Sequence, residues 1–232
     1  MIGVNTFYKT INNSNMSSCL RQITSEIDYI GDNSNYNVQY RDSYVVESHN
    51  QNRTEFEHGY SIAKEKIPFR KEEWICKLAM HKRFSDVGEI VDYQVPLKIS
   101  KHDSAGKGKI DLLSYNSETN TAYLLEVKVN TSTESPLKAI MEAYTYWQQI
   151  NGNQPYDFLS RSIIAKKGYN ISKTDLKKAI VLFEKEDERY MFSKLNKHAA
   201  ELRNLMNLLD VECFVAEPSK QDDNIICNLR RY

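Results

Sequence analysis

No stretch of this chain is apolar for anything near the roughly 20 residues that a bilayer-spanning helix needs. Its first residues, Met1 to Lys9, lack a basic segment followed by an apolar one, so no secretory leader is read and a cytoplasmic protein is expected. The four cysteines, Cys19, Cys76, Cys213 and Cys227, are far apart and include no CxxC pair. That argues against a zinc site and for reduced core or surface thiols. Excess charge of either sign is absent too: 31 basic and 31 acidic residues give a formal net charge of +0. The chain therefore has no global steering toward nucleic acid, which leaves local basic patches open. His58, His81, His102 and His198 show no HxxxH or HExxH spacing, no GxSxG marks a serine hydrolase, and no GxxxxGK(S/T) loop marks an NTPase. There is no internal repeat and no low-complexity linker.

What is present fits a soluble α/β protein. The 232 residues are 41% hydrophobic and 27% charged, enough for one sizeable domain with an added N-terminal segment. Residues 1–65 read as an N-terminal extension, partly helical from Ser18 to Ile30, with a strand at Val38 to Val46. Residues 66–232 read as the main domain. Within it the patterning predicts a helix from Arg70 to Phe84, strands at Val87 to Ile99, Lys109 to Ser114 and Ala122 to Val129, and a helix from Pro136 to Gln149. Asn151 to Tyr156 reads as a loop, Lys173 to Lys178 as a short helix and Ala179 to Phe183 as a strand. A long helix over Glu188 to Leu209 and strands at Val211 to Ala216 and Ile225 to Leu229 complete the order. Gly106 and Gly108 read as a turn.

The chemistry concentrates in two apolar runs, Lys109-Ile110-Asp111-Leu112-Leu113 and Tyr123-Leu124-Leu125-Glu126-Val127-Lys128-Val129. Strand residues alternate faces, so Glu126 and Lys128 point the same way. The Asn-, Ser- and Thr-rich gap from Ser114 to Ala122 suits a turn, and a hairpin would bring Asp111 to them. Two carboxylates and an ammonium inside a sheet are costly unless something compensates them, and a divalent cation would. On the preceding helix Glu72 falls inside the apolar arc; it is either part of this group or an ordinary first-turn carboxylate complementing the helix dipole. An Asp–Lys or Glu–Lys pair on an amphipathic strand is the purely structural alternative.

These residues and their element order resemble the PD-(D/E)xK nuclease superfamily, the restriction-endonuclease-like fold. Asp111 stands where that family has its first acidic residue, and Glu126-Val127-Lys128 reads as its (D/E)xK element. The resemblance covers roughly residues 70–184. It implies an αβββαβ core with a central mixed sheet flanked by helices. It also implies a Mg²⁺ or Mn²⁺ ion on Asp111, Glu126 and the Val127 carbonyl, with Glu72 bound directly or through water. Lys128 would then orient or deprotonate the attacking water, or hold the phosphate. Glu142 and Tyr146 resemble the QxxxY element of the RecB-like branch, with Glu in place of Gln; the plainer reading of Glu142 is a surface carboxylate near Lys138.

The resulting expectation is a metal-dependent DNase, more endo- than exonucleolytic, working on DNA, without a membrane partner, and as a homodimer if one site per chain must cut both strands. Lys107, Lys109, Lys166 and Lys167 are the basic residues expected to contact nucleic acid, against the blander reading of solvated lysines. The alternative function is a catalytically inactive nucleic-acid-binding or complex-assembly protein that keeps a nuclease-like fold. A small-molecule hydrolase on another α/β scaffold has no nucleophile motif behind it.

Overall fold

The computed structural model describes residues 72–96, 109–129, 136–149, 155–183, 199–221 and 224–232. The expectations for residues 1–65, the Gly106 and Gly108 turn, and Lys107 fall outside them. The elements are α1 (Glu72–Ala79), β1 (Arg83–Phe84), β2 (Gly88–Pro96), β3 (Lys109–Asn116) and β4 (Thr121–Lys128). There follow α2 (Pro136–Gln149), α3 (Pro155–Arg161), α4 (Ile163–Lys166), β5 (Asp175–Phe183), α5 (Ala199–Leu209), β6 (Val211–Gln221) and β7 (Asn224–Arg231). The strands form one mixed 7-stranded sheet in chain order. β1 to β4 run antiparallel to one another, β5 and β6 join parallel to β4, and β7 closes the sheet antiparallel to β6.

The change from antiparallel to parallel follows from the connections. β3 and β4 are joined by a tight turn whose polar residues hold it. Asn116 Oδ1 accepts from the backbone N–H of Glu118 and Thr119, and Asn120 takes a left-handed φ of 51°. A parallel partner for β4 needs a long crossover, and α2, α3 and α4 supply it. β4 is buried along its whole length, so both of its faces must be covered. On one side Ile75 and Cys76 of α1, with Met80 just past its end, pack against Tyr93, Leu112, Leu125 and Val127. On the other, Phe158, Leu159, Ile163 and Ile164 cover Leu113 and Leu124. Leu137, Ile140 and Met141 of α2 meet Ile180 and Leu182 together with Leu202, Leu205 and Met206 of α5.

Three expectations change. The first helix stops at Ala79, not Phe84. Lys82 N–H closes back on the Ala79 carbonyl, His81 turns left-handed at φ 62°, and Arg83–Phe84 pairs with β2 instead. Gly88, at φ 78°, makes that hairpin possible, because a Cβ there would meet the Tyr115 carbonyl oxygen at 2.1 Å. Second, Lys173 to Lys178 is turn and strand rather than helix. Asp175 pairs with Thr121, and its N–H donates to the Asn120 carbonyl, so an available neighbouring strand outweighs a helical spacing only six residues long. Third, the stretch read as a loop leads into two short helices from Pro155, a residue suited to a first helical position. Of the long helix expected from Glu188, Ala199–Leu209 is seen, and 184–198 lie outside the described residues. Among the described residues no helix is long and apolar enough to cross a membrane.

Candidate metal centre

The β3–β4 ladder is paired from Asn116↔Thr121 to Leu112↔Leu125. One residue further on, the side chain of Asp111 takes over: its Oδ2 accepts the Val127 backbone N–H at 2.9 Å. Its Oδ1 accepts from Gln94 Nε2 of β2 at 2.7 Å. A carboxyl thus sits where backbone pairing ends, held by one donor from each neighbouring strand. The register that pairs Leu112 with Leu125 puts Glu126 next to Asp111 across the two strands, and the Asp111 charge acts on the Glu126 carboxyl. Neighbouring carboxyls disfavour each other's ionisation.

Glu126 has one satisfied oxygen and one orphan. Oε1 receives the Lys128 ammonium at 2.7 Å, as the alternation along β4 requires. Oε2 is buried with no hydrogen-bond partner among the described residues. Lys128 Nζ also stands 3.1 Å from Glu142 Oε2, close enough for an ion pair but not aligned as a hydrogen bond. Glu142 reaches Lys138 through its other oxygen at 3.5 Å. Glu142 thus stands between Lys138, one turn before it, and Lys128 of the neighbouring strand.

The charges show in the titration of each group. Burial pushes Glu126 well above the ordinary carboxylate range, and Asp111 adds to the shift while Lys128 opposes it. Burial likewise raises Asp111, against the pull of Lys128 and the Val127 N–H. Burial opposes the charge on Lys128, but Glu126, Glu142, Glu72 and Asp111 together hold it firmly cationic. Burial raises the Tyr146 phenol far above its usual value, with Glu126 and Glu142 adding to the effect. The structure therefore gathers Glu72, Asp111, Glu126, Lys128, Glu142 and Tyr146 in one electrostatic neighbourhood.

The lysines expected to bind nucleic acid do not gather there as a set. Lys109 is exposed, two residues before Asp111 on β3. Lys166 and Lys167 lie at the end of α4, and Lys167 is bound to Glu89, which pairs with Tyr115 at the opposite end of β2 and β3. Burial opposes ionisation of Glu89, but hydrogen bonds from Lys167 and Tyr169 hold its carboxyl below the usual range.

Sequence reasoning missed two neighbours. Cys76, one helical turn after Glu72, is a fully buried free thiol. Burial pushes it well up, with Asp111, Glu126 and Glu72 adding and a hydrogen bond with Gln94 opposing. Its spacing from Glu72 was the available signal. Gln94 could be found only from the strand register.

Among the described residues, no group of three or more His, Cys, Asp or Glu side chains stands in ligating geometry. A cation here would take the Asp111 and Glu126 carboxyls, with backbone and water oxygens completing its set. That suits Mg²⁺, which binds through one or two carboxylates and keeps several waters. It does not suit a zinc cage. No protein-family model, curated protein or solved structure matches this chain.

Proposed function

We propose that the chain is a Mg²⁺-dependent nuclease that hydrolyses phosphodiester bonds of DNA, on a restriction-endonuclease-like core. The observation that carries this reading is the Asp111 carboxyl held on the Val127 N–H at the end of the β3–β4 ladder, beside a Glu126 whose Oε2 is buried and unpartnered. Support for the family comes from the order α1, β2, β3, β4, α2, β5, which reads αβββαβ once the two-residue β1 and the short α3 and α4 are set aside, with the acidic residues on its second and third long strands.

Asp111 and Glu126 would hold the ion, with the Val127 carbonyl as a third oxygen and Glu72 near enough to act through water. Bound there, Mg²⁺ would supply a water of lowered pKa and neutralise charge on the phosphate. Val127 N–H and Gln94 orient the Asp111 carboxyl toward Glu126. Lys128 enters the reaction as a cation. Four carboxyls hold its proton in the metal-free chain, which suits it to donate a hydrogen bond to a phosphate oxygen or to the attacking water. Tyr146, kept neutral by burial and by Glu126, Glu142 and Asp111, is a hydroxyl donor on the α2 side.

The competing reading is a nucleic-acid-binding protein with no turnover. It is favoured by Lys128, which already neutralises Glu126 directly. Supercoiled plasmid distinguishes them: nicking with Mg²⁺ or Mn²⁺, none with EDTA, and none by Asp111→Ala or Glu126→Ala proteins that retain the wild-type circular dichroism. Full activity in either variant would remove the assignment.

A further inference from the structure

We propose that Gln94 is the positioning residue of this centre, holding the Asp111 carboxyl in the orientation that lets it share a cation with Glu126; the proposal rests on the metal-site reading above. Gln94 belongs to β2, outside the strands that carry the acidic residues, and its role depends on an irregularity. The β2–β3 register runs Glu89↔Tyr115 and Ile90↔Ser114, then shifts by one residue between Ile90 and Asp92, and continues Tyr93↔Leu112 and Val95↔Ile110. After the shift, Gln94 stands across from Asp111. An unshifted ladder would put Tyr93 there and leave Asp111 without its side-chain donor. Bulges of this kind re-aim side chains and recur beside functional sites.

Gln94 also holds a left-handed backbone at φ 48°, where residues with a Cβ are rarely found. Such a conformation persists only where the surroundings enforce it. Here they do so through the amide. Nε2 donates to Asp111 Oδ1 at 2.7 Å. With Val127 N–H on the other oxygen, the carboxyl of Asp111 has a donor on each of its two atoms, and these fix its plane. The remaining lone pairs are directed by that plane. Loss of the Gln94 donor frees the carboxyl to rotate about one hydrogen bond, which weakens any ligand that depends on its direction.

The test is Mn²⁺ affinity, read from the electron paramagnetic resonance signal of free Mn²⁺, alongside plasmid nicking. Gln94→Met keeps the length and removes the donor. Gln94→Gly removes the side chain but relieves the left-handed strain, so it stays folded even where the Met variant does not. Both variants are expected to bind Mn²⁺ roughly 10- to 100-fold more weakly. Both should also lose kcat with KM for DNA unchanged, and Gln94→Gly should melt no lower than the parent. A structural role alone would change melting and leave the affinity of the folded protein intact. Unchanged Mn²⁺ affinity in either folded variant would overturn this proposal while leaving the metal centre standing. Failure of the unsubstituted protein to bind Mn²⁺ would overturn the metal centre and this proposal with it.

Discussion

The Lys128 ammonium nitrogen stands 2.7 Å from Glu126 Oε1, while Oε2 of the same carboxyl is buried without a partner and is turned toward no donor among the described residues. One carboxyl therefore carries a satisfied oxygen and a costly one. Glu126→Gln exploits the difference. The amide oxygen can keep the lysine, and the amide nitrogen replaces the orphan with a donor beside Asp111. We expect the metal-free variant to be more stable than the parent at neutral pH by about 1 kcal/mol, the net worth of one buried hydrogen bond, and inactive. The sign follows from linkage. Glu126 has an ordinary value of 4.5 when unfolded and a raised one when folded, so stability falls as pH rises through that window. The variant should lose that fall. Urea unfolding in EDTA from pH 4 upward measures it; a variant less stable than the parent throughout would show that the carboxylate is a structural partner and not a waiting ligand.

Lys128 gives the opposite sign. Its folded value is raised, so its contribution is complete below the unfolded value of 10.5 and persists across the neutral range. Lys128→Met leaves Glu126 and Glu142 facing each other without a cation. We expect a loss of about 3–5 kcal/mol at pH 8, the usual result of removing one member of a buried pair. The loss should shrink in acid as the carboxyls take up protons. Equal losses at pH 8 and pH 5 would mean that packing, and not charge, is what Lys128 supplies.

How much of this centre could be read beforehand depends on the range of the interaction. Glu126 and Lys128 are two residues apart, so strand alternation alone put them together. Asp111 followed from a hairpin whose turn residues, Asn116 and Asn120, are local signals. Glu142 and Tyr146 lie one turn apart on a helix whose apolar stripe was plain, although facing both Lys138 and Lys128 was not foreseeable from spacing. Gln94 was invisible, because its position opposite Asp111 depends on a one-residue shift in pairing that no local pattern encodes. The strand at Arg83–Phe84 and the start of β5 at Asp175 were missed for a related reason: each is extended because a neighbouring strand offers hydrogen bonds, which short-range periodicity does not encode.

At the other end of the sheet, Glu89 should act as a stabilising carboxylate of ordinary sign. Lys167 and Tyr169 bind it, and Arg83 and His81 stand at 3.9 and 3.8 Å. Its folded value is lowered, so its contribution is present above the unfolded value of 4.5 and disappears as pH falls through the folded one. Glu89→Gln is expected to cost about 1 kcal/mol at pH 7, as for a partly exposed network, and nothing at pH 2. Urea midpoints at the two pH values check it, and a pH-independent difference would place the effect elsewhere.

The same contacts separate the lysines that are available to nucleic acid from those already engaged. Lys109 is exposed on β3, two residues from Asp111, whereas Lys167 is committed to Glu89. A lysine that neutralises a phosphate releases a counterion, and its removal lowers the slope of log affinity against log salt by about one. With the inactive Glu126→Gln protein as the binding form, Lys109→Ala should therefore weaken DNA binding at every sequence tested and flatten the salt dependence by that amount. Lys167→Ala should leave the slope unchanged and instead reduce stability by the same mechanism as Glu89→Gln. Fluorescence anisotropy of a labelled duplex from 50 to about 300 mM salt, a range over which such slopes are resolved, reads both. A slope change with Lys167→Ala and none with Lys109→Ala would put the nucleic-acid path at the Glu89 end of the sheet, away from Asp111.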